Sequence, residues 1–471
     1  MRQQYTAILL TAILWFVADN TPLQAQEHTL YNMEFVGQRQ HLNPALQPIT
    51  RFYFGFSGGG AFNSNALSIN SARRFDENGD SFYWSPSALL SNLGKNNAFR
   101  WNLQADISLG LKVNPKLFVH ASVQDKLEAR INYPKDLFEF LINGNLGPNS
   151  VGKEFNIGGF RANASYYREY AMGASYQPNC KWAFGTRIKI LQGIANFQTK
   201  EASLTIKTDP EYYAITMKNE LDFRTSFNPN LWEGNFSIND LMVRNNNGMG
   251  IDLGATYAPS KKWNFSGSII DLGYINWNTN AKRYYNQADQ KTFVFNGLNQ
   301  ENLENNEDYA QKLVDTILST FDLGEQNISS YRTALATKTY LSANYEFLSG
   351  NRVGALMYGE FANRRYQTAW SVNGQLRLSK IINLQGNIGL FNRQISNIGL
   401  GFAANLAPIQ IWMLTNNAGF LFKDPLSVRT LHFRVGMNFV FAYMKDKKNP
   451  CSKDYVAPAE RGKIESDNNK K

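Results

Sequence analysis

The chain reads as an all-β protein, a transmembrane antiparallel β-barrel of about 14 strands. It has a short N-terminal plug-like segment and long extracellular loops, one of which carries a short helix. Three observations predict this fold. Apolar and polar residues alternate with period two along many segments, so each strand has one apolar face. Aromatic residues reach 14%, with 23 Tyr and 32 Phe, yet mean hydropathy is −0.39 despite 43% hydrophobic residues. Past the N-terminus, no apolar run approaches the ~20 residues a spanning helix requires. A barrel reconciles all three, because half its strand positions face a polar lumen. A soluble β-sandwich would satisfy the alternation, but it does not call for aromatics beside the turns.

In chain order, Arg2 and the apolar run Ile8–Ala18 form the n- and h-regions of a secretory signal. Cleavage is expected after Ala25, which makes residues 1–25 a signal peptide. Residues 26–50 are a turn-rich lead-in, since Pro44 and Pro48 forbid a regular ladder. The barrel is expected over 51–443. Its first strand is Arg51–Ser57, ending at Gly58-Gly59-Gly60, followed by a long polar loop over Asn65–Asn97. Trp101, Leu103, Ala105, Ile107, Leu109 and Leu111 then face one way, with Asn102, Gln104, Asp106, Ser108 and Lys112 opposite. Late strands repeat the pattern. Val372, Leu376 and Leu378 oppose Ser371, Asn373, Gln375 and Arg377, and Leu431 to Phe441 alternate with His432, Arg434 and Asn438. Residues 444–471 are charged and aperiodic, and read as a flexible periplasmic tail.

Short turns are legible at Pro178-Asn179, Pro259-Ser260, Ser349-Gly350, Ser379-Lys380 and Ala407-Pro408. The even strand count puts both termini on the side of these turns, which in outer-membrane barrels of Gram-negative bacteria is the periplasm. Two long connections stand out. Gly193–Asn247 holds a hairpin around Asp209-Pro210 and the apolar Leu231, Trp232 and Phe236. Asn278–Ser330 holds a helix over Asp308–Leu318, whose apolar stripe includes Leu313, Ile317 and, just beyond, Phe321.

The chain is organised around the hairpin Gly248–Trp277. Ile251, Leu253, Ala255 and Tyr257 form the apolar face of its first strand, and Trp263, Phe265, Gly267 and Ile269 that of its second, which is set towards lipid. Gly173 to Phe184 repeats its layout at the same spacing, with Pro178 matching Pro259 and Trp182 matching Trp263. Strict alternation would put Asp271 on the lipid face, where a carboxylate costs on the order of a few kcal/mol. A one-residue bulge around Ile269–Ile270 would turn Asp271 inward instead.

Catalytic chemistry finds no purchase. His28, His41, His120 and His432 sit in no metal or nucleophile motif, so no catalytic residue, metal or cofactor is expected and the chain does not read as an enzyme. Cys180 and Cys451 have no metal-ligand spacing and are expected as free thiols, because their strands are not neighbours. The net charge of +10 comes from scattered basic residues and a Lys-rich tail, with no nucleic-acid motif. No nucleic-acid partner is expected.

The hairpin Gly250-Ile251-Asp252-Leu253-Gly254 to Asp271-Leu272-Gly273 resembles the G-x-D-L-G … N/D-L-G hairpin of FadL-like outer-membrane barrels. Asn43-Pro44-Ala45 resembles the NPA of their N-terminal hatch. That group includes long-chain fatty acid transporters and the PorV-type barrels of type IX secretion. The nearest resemblance is to an outer-membrane family of unknown function. The lead-in is shorter than a typical hatch, and the charged tail is additional. The resemblance implies a barrel in contact with outer-membrane lipid that binds or passes hydrophobic small molecules. It also implies a groove between the third and fourth outer loops, here Leu231, Trp232, Phe236, Leu313, Ile317 and Phe321. The alternative it carries is a non-transporting partner barrel for secretion or envelope proteins.

Overall fold

The computed structural model describes residues 28–443 except 72, 76–81, 146–149, 213, 228–244, 287–291, 296–322, 349, 363–364, 380, 392–393, 407 and 422–427. Fourteen antiparallel strands close a ring. They are β1 Thr50–Ser64, β2 Asn96–Lys112, β3 Leu117–Pro134, β4 Arg161–Tyr176, β5 Trp182–Thr208, β6 Asn247–Tyr257 and β7 Trp263–Trp277, followed by β8 Thr337–Leu348, β9 Asn351–Ala362, β10 Arg365–Arg377, β11 Ile382–Phe391, β12 Gln394–Leu406, β13 Ile409–Thr415 and β14 Thr430–Tyr443. Each pairs with its chain neighbours, and β1 pairs with both β2 and β14. Closure leaves no unpaired edge, the condition a sheet must meet in hydrocarbon. The even count brings both ends of the ring to the end of the short turns.

Alternation sets which side each residue takes. On β2, Trp101, Ile107 and Leu109 are exposed on the outer wall while Asp106 and Ser108 are buried in the lumen. On β14, Phe433, Val435 and Phe441 point out, and His432, Arg434 and Asn438 point in. Aromatics gather at the turn end, where Trp182 packs at a tilt against Tyr257 at 4.4 Å and Trp263 against Tyr345 at 5.0 Å between centroids. The repeated hairpins thus meet in an interfacial girdle.

Three features differ from the sequence reading. The first strand does not stop at Gly58-Gly59-Gly60. All three glycines pair in register with β2 and β14, and a Cβ at Gly59 would stand 2.7 Å from the Arg434 backbone. The glycines therefore admit a close neighbour and do not form a turn. The hairpin at Asp209 is the continuation of wall strand β5, which pairs with Ile215–Ser226. Among the described residues, six strands of this kind extend the sheet at the long-loop end. The loops after β1 and β3 also carry helices, Pro86–Asn92 and Lys135–Asn143. The expected helix Asp308–Leu318 lies outside the described residues.

Cys180, in the turn between β4 and β5, is disulfide-bonded, which overturns the expected free thiol. Separation of the strands was a poor guide. Four strand spacings amount to about 19 Å, and eight residues of chain reach about 26 Å. The only other cysteine in the sequence, Cys451, lies outside the described residues.

Candidate functional site

The lumen is filled by two structures, one above the other. At the turn end, the segment His28–Ile49 lies inside the ring with nearly every residue buried. Its helical turn His28–Tyr31 and its 3-10 turn Gly37–His41 keep the backbone compact enough to fit. Polar side chains tie this hatch around the wall. Thr29 Oγ1 donates to Asn416 Oδ1 at 2.6 Å, Tyr31 OH lies 2.9 Å from Ser266 Oγ, and Gln38 Nε2 donates to Asn438 Oδ1 at 2.6 Å. Ser268 Oγ donates to Leu42 O at 2.6 Å, and Gln410 Nε2 to Phe35 O at 3.0 Å.

On one side the hatch also builds an apolar core. Leu30, Tyr31, Met33, Val36 and Leu42 pack against Tyr340, Leu356, Tyr358, Trp412 and Leu414 of the wall. The middle of β9 and of β13 is therefore apolar on both faces, since Val353 and Met413 are exposed outside. That double-sided pattern was the readable signal for where the hatch docks.

Asn43-Pro44-Ala45 and the hairpin motif prove to be two sides of one contact. Asn43 Oδ1 accepts from Ala45 N at 2.9 Å, which holds the turn, while Asn43 Nδ2 donates to Gly267 O at 3.2 Å and to Tyr31 OH at 2.9 Å. A Cβ at Gly254 would overlap Asn43 Oδ1 and approach Pro44 Cδ to 3.0 Å, and one at Gly185 would overlap the Pro44–Ala45 peptide. Only glycine lets the hatch backbone lie so close to the wall.

Above the hatch, charged side chains span the lumen. Glu169 Oε2 lies 2.8 Å from Lys126 Nζ, and Glu169 Oε1 lies 2.8 Å from Arg187 Nη2. Lys189 Nζ is 2.7 Å from Asp252 Oδ1 and 2.5 Å from Asp271 Oδ1, and Lys338 Nζ is 2.9 Å from Asp271 Oδ2. Arg130 Nη1 reaches Glu360 Oε1 at 2.5 Å, and Lys338 Nζ approaches Glu128 Oε1 at 3.8 Å. Strands β3 and β9 sit almost opposite in the ring, so these last contacts cross it. Lys126, Arg130, Arg187, Lys189 and Lys338 balance Glu128, Glu169, Asp252, Asp271 and Glu360. Removing such charges from water costs several kcal/mol each, tolerable only because each is paired.

Asp271 is where the sequence expectation of a bulge is met. Ile251 pairs with Leu272 and Leu253 with Ile269, which leaves an extra residue on β7 at Ile270–Asp271. Asp271 has φ +60, and its backbone N–H donates to Asp252 Oδ1 at 2.8 Å. The bulge also breaks the other ladder. β7 pairs with β8 only up to Ile270, then with Tyr331–Ala334 from Tyr274 onward. Gly273 is held against β6, where a Cβ would stand 2.7 Å from Gly250 Cα.

Two spaces flank this stretch of wall. Inside, a cavity of about 70 Å³ between hatch and lattice has a mixed lining that includes His41, Gln124, Lys126, Asp271, Ile270 and Tyr340. Outside, adjoining apolar depressions of about 470 and 500 Å³ share Ala255, Gly267, Leu341 and Met357. The hatch histidines are uncharged. Burial, helped by nearby His432, holds His28 at about 3. Burial, with Arg187, Arg434, His120 and Lys126 nearby, holds His41 well below the usual imidazole range.

The structure brings together Asn43, Pro44, Ala45 and Gly254 in one contact, and Asp252 with Asp271 in another. The expected groove residues Leu231, Trp232, Phe236, Leu313, Ile317 and Phe321 lie outside the described residues. Sequence reasoning missed Lys126, Glu169, Arg187, Lys189, Lys338 and Glu360. Their signal was charge at inward strand positions, as in the spacing of Lys126, Glu128 and Arg130. Among the described residues no group of acidic, histidine and cysteine side chains has metal-site geometry.

A closed 14-stranded antiparallel barrel with an apolar belt and a hatched lumen is a protein of the outer-membrane barrel class. The chain belongs to a family of unknown function, DUF5723, whose model matches residues 44–416. No curated protein sequence matches it. Among solved structures, a Pseudomonas aeruginosa FadL homologue is similar at a TM-score of 0.44 and 10% identity, covering 91% of this chain and 100% of that one. The P. putida toluene transporter TodX is similar at 0.38 and 9%, covering 85% and 92%. The translocator domain of the autotransporter NalP from Neisseria meningitidis is similar at 0.32 and 6%, covering 86% and 94%.

Proposed function

We propose that the protein binds hydrophobic small molecules in the outer membrane and passes them through its side wall at β7–β8, with hatch and termini facing the periplasm. The carrying observation is the break at Asp271, which has a lumen cavity behind it and an apolar depression in front of it. The axial route is filled twice, by hatch and by charged lattice. An apolar solute crossing that lattice would have to part buried ion pairs, at about 3–5 kcal/mol for each partner left bare. The wall, by contrast, thins to Gly254 and Gly267 beside the hatch, and the resemblance to FadL-like barrels points to the same class of ligand.

The test is a clasp across the wall. Ile269 and Thr339 are directly opposed in the β7–β8 register. In a background lacking Cys180 and Cys451, the pair Ile269→Cys/Thr339→Cys should form a disulfide that abolishes uptake of a monoaromatic or fatty-acid probe into cells, and reductant should restore it. Uptake indifferent to the cross-link would remove the side-wall route.

A second reading has its own support in the filled lumen, which suits a partner barrel that binds secreted or envelope proteins and conducts nothing. Stoichiometric co-purification of a protein, with no uptake by cells that express the barrel, would favour it.

A further inference from the structure

Among the described residues, the hatch cation Arg39 has no counter-charge. Arg39 is 8% exposed, forms no side-chain hydrogen bond or ion pair among the described residues, and its buried Nε has no partner. It lines a small space of about 10 Å³ between the hatch and the wall, together with Asn373 and Gln375 of β10. Asn373 Nδ2 and Gln375 Nε2 are also buried donors without an acceptor. Glu34, the acidic group lining the space, pairs with Arg352, which is itself 2.9 Å from Glu346. Three orphaned donors, one of them charged, therefore face one space. A buried charge without a partner is unfavourable by several kcal/mol, and a space of roughly 10–15 Å³ holds one water-sized species.

We infer that this space is a binding site for one small monovalent anion of halide size, held by the Arg39 guanidinium and the Asn373 and Gln375 amides, and that it locks the hatch to β10. A guanidinium suits the task because it is weakly hydrated and presents several donors in one plane. The inference concerns how the hatch is held and stands apart from the route of any hydrophobic ligand. An anion here would join hatch and wall through charge-assisted hydrogen bonds, the stronger kind.

The experiment uses the full-length purified barrel in detergent, at matched ionic strength in sodium chloride or sodium gluconate. Backbone hydrogen exchange over residues 28–49 should slow in chloride, saturate with concentration, and respond to bromide in the same way. Crystals grown in bromide should show an anomalous peak beside Arg39. Arg39→Met should abolish the response. Asn373→Leu, which keeps the charge, should shift its midpoint by about tenfold, the loss expected for one hydrogen bond to a charged group. Equal exchange in chloride and gluconate, with no bromide peak, would mean that water fills the space and would overturn the inference. A halide response that survives Arg39→Met would overturn it equally.

Discussion

The two sides of the lumen are built on different physics. From β3 to β7 the wall meets the lumen with charge: Lys126, Glu169, Arg187, Lys189, Asp252 and Asp271 are buried and paired. From β8 to β13 it meets the hatch with Tyr340, Leu356, Tyr358, Trp412 and Leu414. Charged pairs gain little net stability over apolar packing, but fail severely when one partner is lost. Apolar packing fails gradually, in proportion to the volume removed. One side is therefore specific and brittle, and the other adhesive and tolerant.

The largest expected effect breaks the charged lattice where it crosses from β3 to β9. Glu360→Gln leaves Arg130 buried with only Glu128, 3.9 Å away, and should cost about 3–5 kcal/mol. The double change Arg130→Met/Glu360→Leu should recover most of that loss. Denaturant titration followed by heat-modifiable gel mobility reads both. A double variant as unstable as the single would show that the cross-lumen pair contributes net stability.

Next comes the tolerant side. Leu356→Ala should cost about 2–4 kcal/mol but confine its effect to the hatch. Hydrogen exchange over residues 28–49 should quicken while the β1–β14 seam stays protected. Equal loosening of hatch and seam would mean that the two sides are one cooperative unit.

The smallest effect is in pH. His28 and His41 are neutral when docked, with pKa values below the ~6.5 of a free imidazole. The undocked hatch binds more protons between those values, so docking is strongest above about pH 6.5 and weakens as pH falls towards the docked value. At pH 5 the loss is about 2 kcal/mol for His28, whose docked value is about 3, and His41 acts in the same direction. Exchange of the hatch measured from pH 7.5 to 5, corrected for intrinsic rates, checks it. His28→Asn/His41→Asn should flatten the profile.

Much of the barrel was legible because its information is local. Period two, turn residues and a single misplaced Asp271 gave strand faces, strand count and the bulge. What stayed hidden depends on position around the ring. That Arg130 would find Glu360 follows only once β3 and β9 are known to lie almost opposite. That Asn43 needs Gly254 follows only once the hatch is inside. Both motifs could be seen, but their contact could not. The inward face of β13 departs from the pattern for another reason: Trp412 and Leu414 violate the polar-lumen rule because the lumen there is occupied by protein. The glycines of β1 look like a turn to any local reading, since only their neighbours reveal the crowding.

The seam of the ring has a consequence for the order of assembly. Gln38 Nε2 bonds Asn438 of β14 at 2.6 Å and Ser108 of β2 at 3.2 Å, reaching both across β1. It passes over Gly55, where a Cβ would stand 2.8 Å from that nitrogen and collide with Asn438. The first strand and the last therefore share one node with the hatch, and the node is complete only after they have met. During biogenesis, β14 is the last strand to be made. Until it arrives the hatch lacks this anchor, and a barrel prised open at its seam would lose the anchor again. Docking of the hatch is therefore completed only when the ring is sealed, and an open seam leaves it one anchor short.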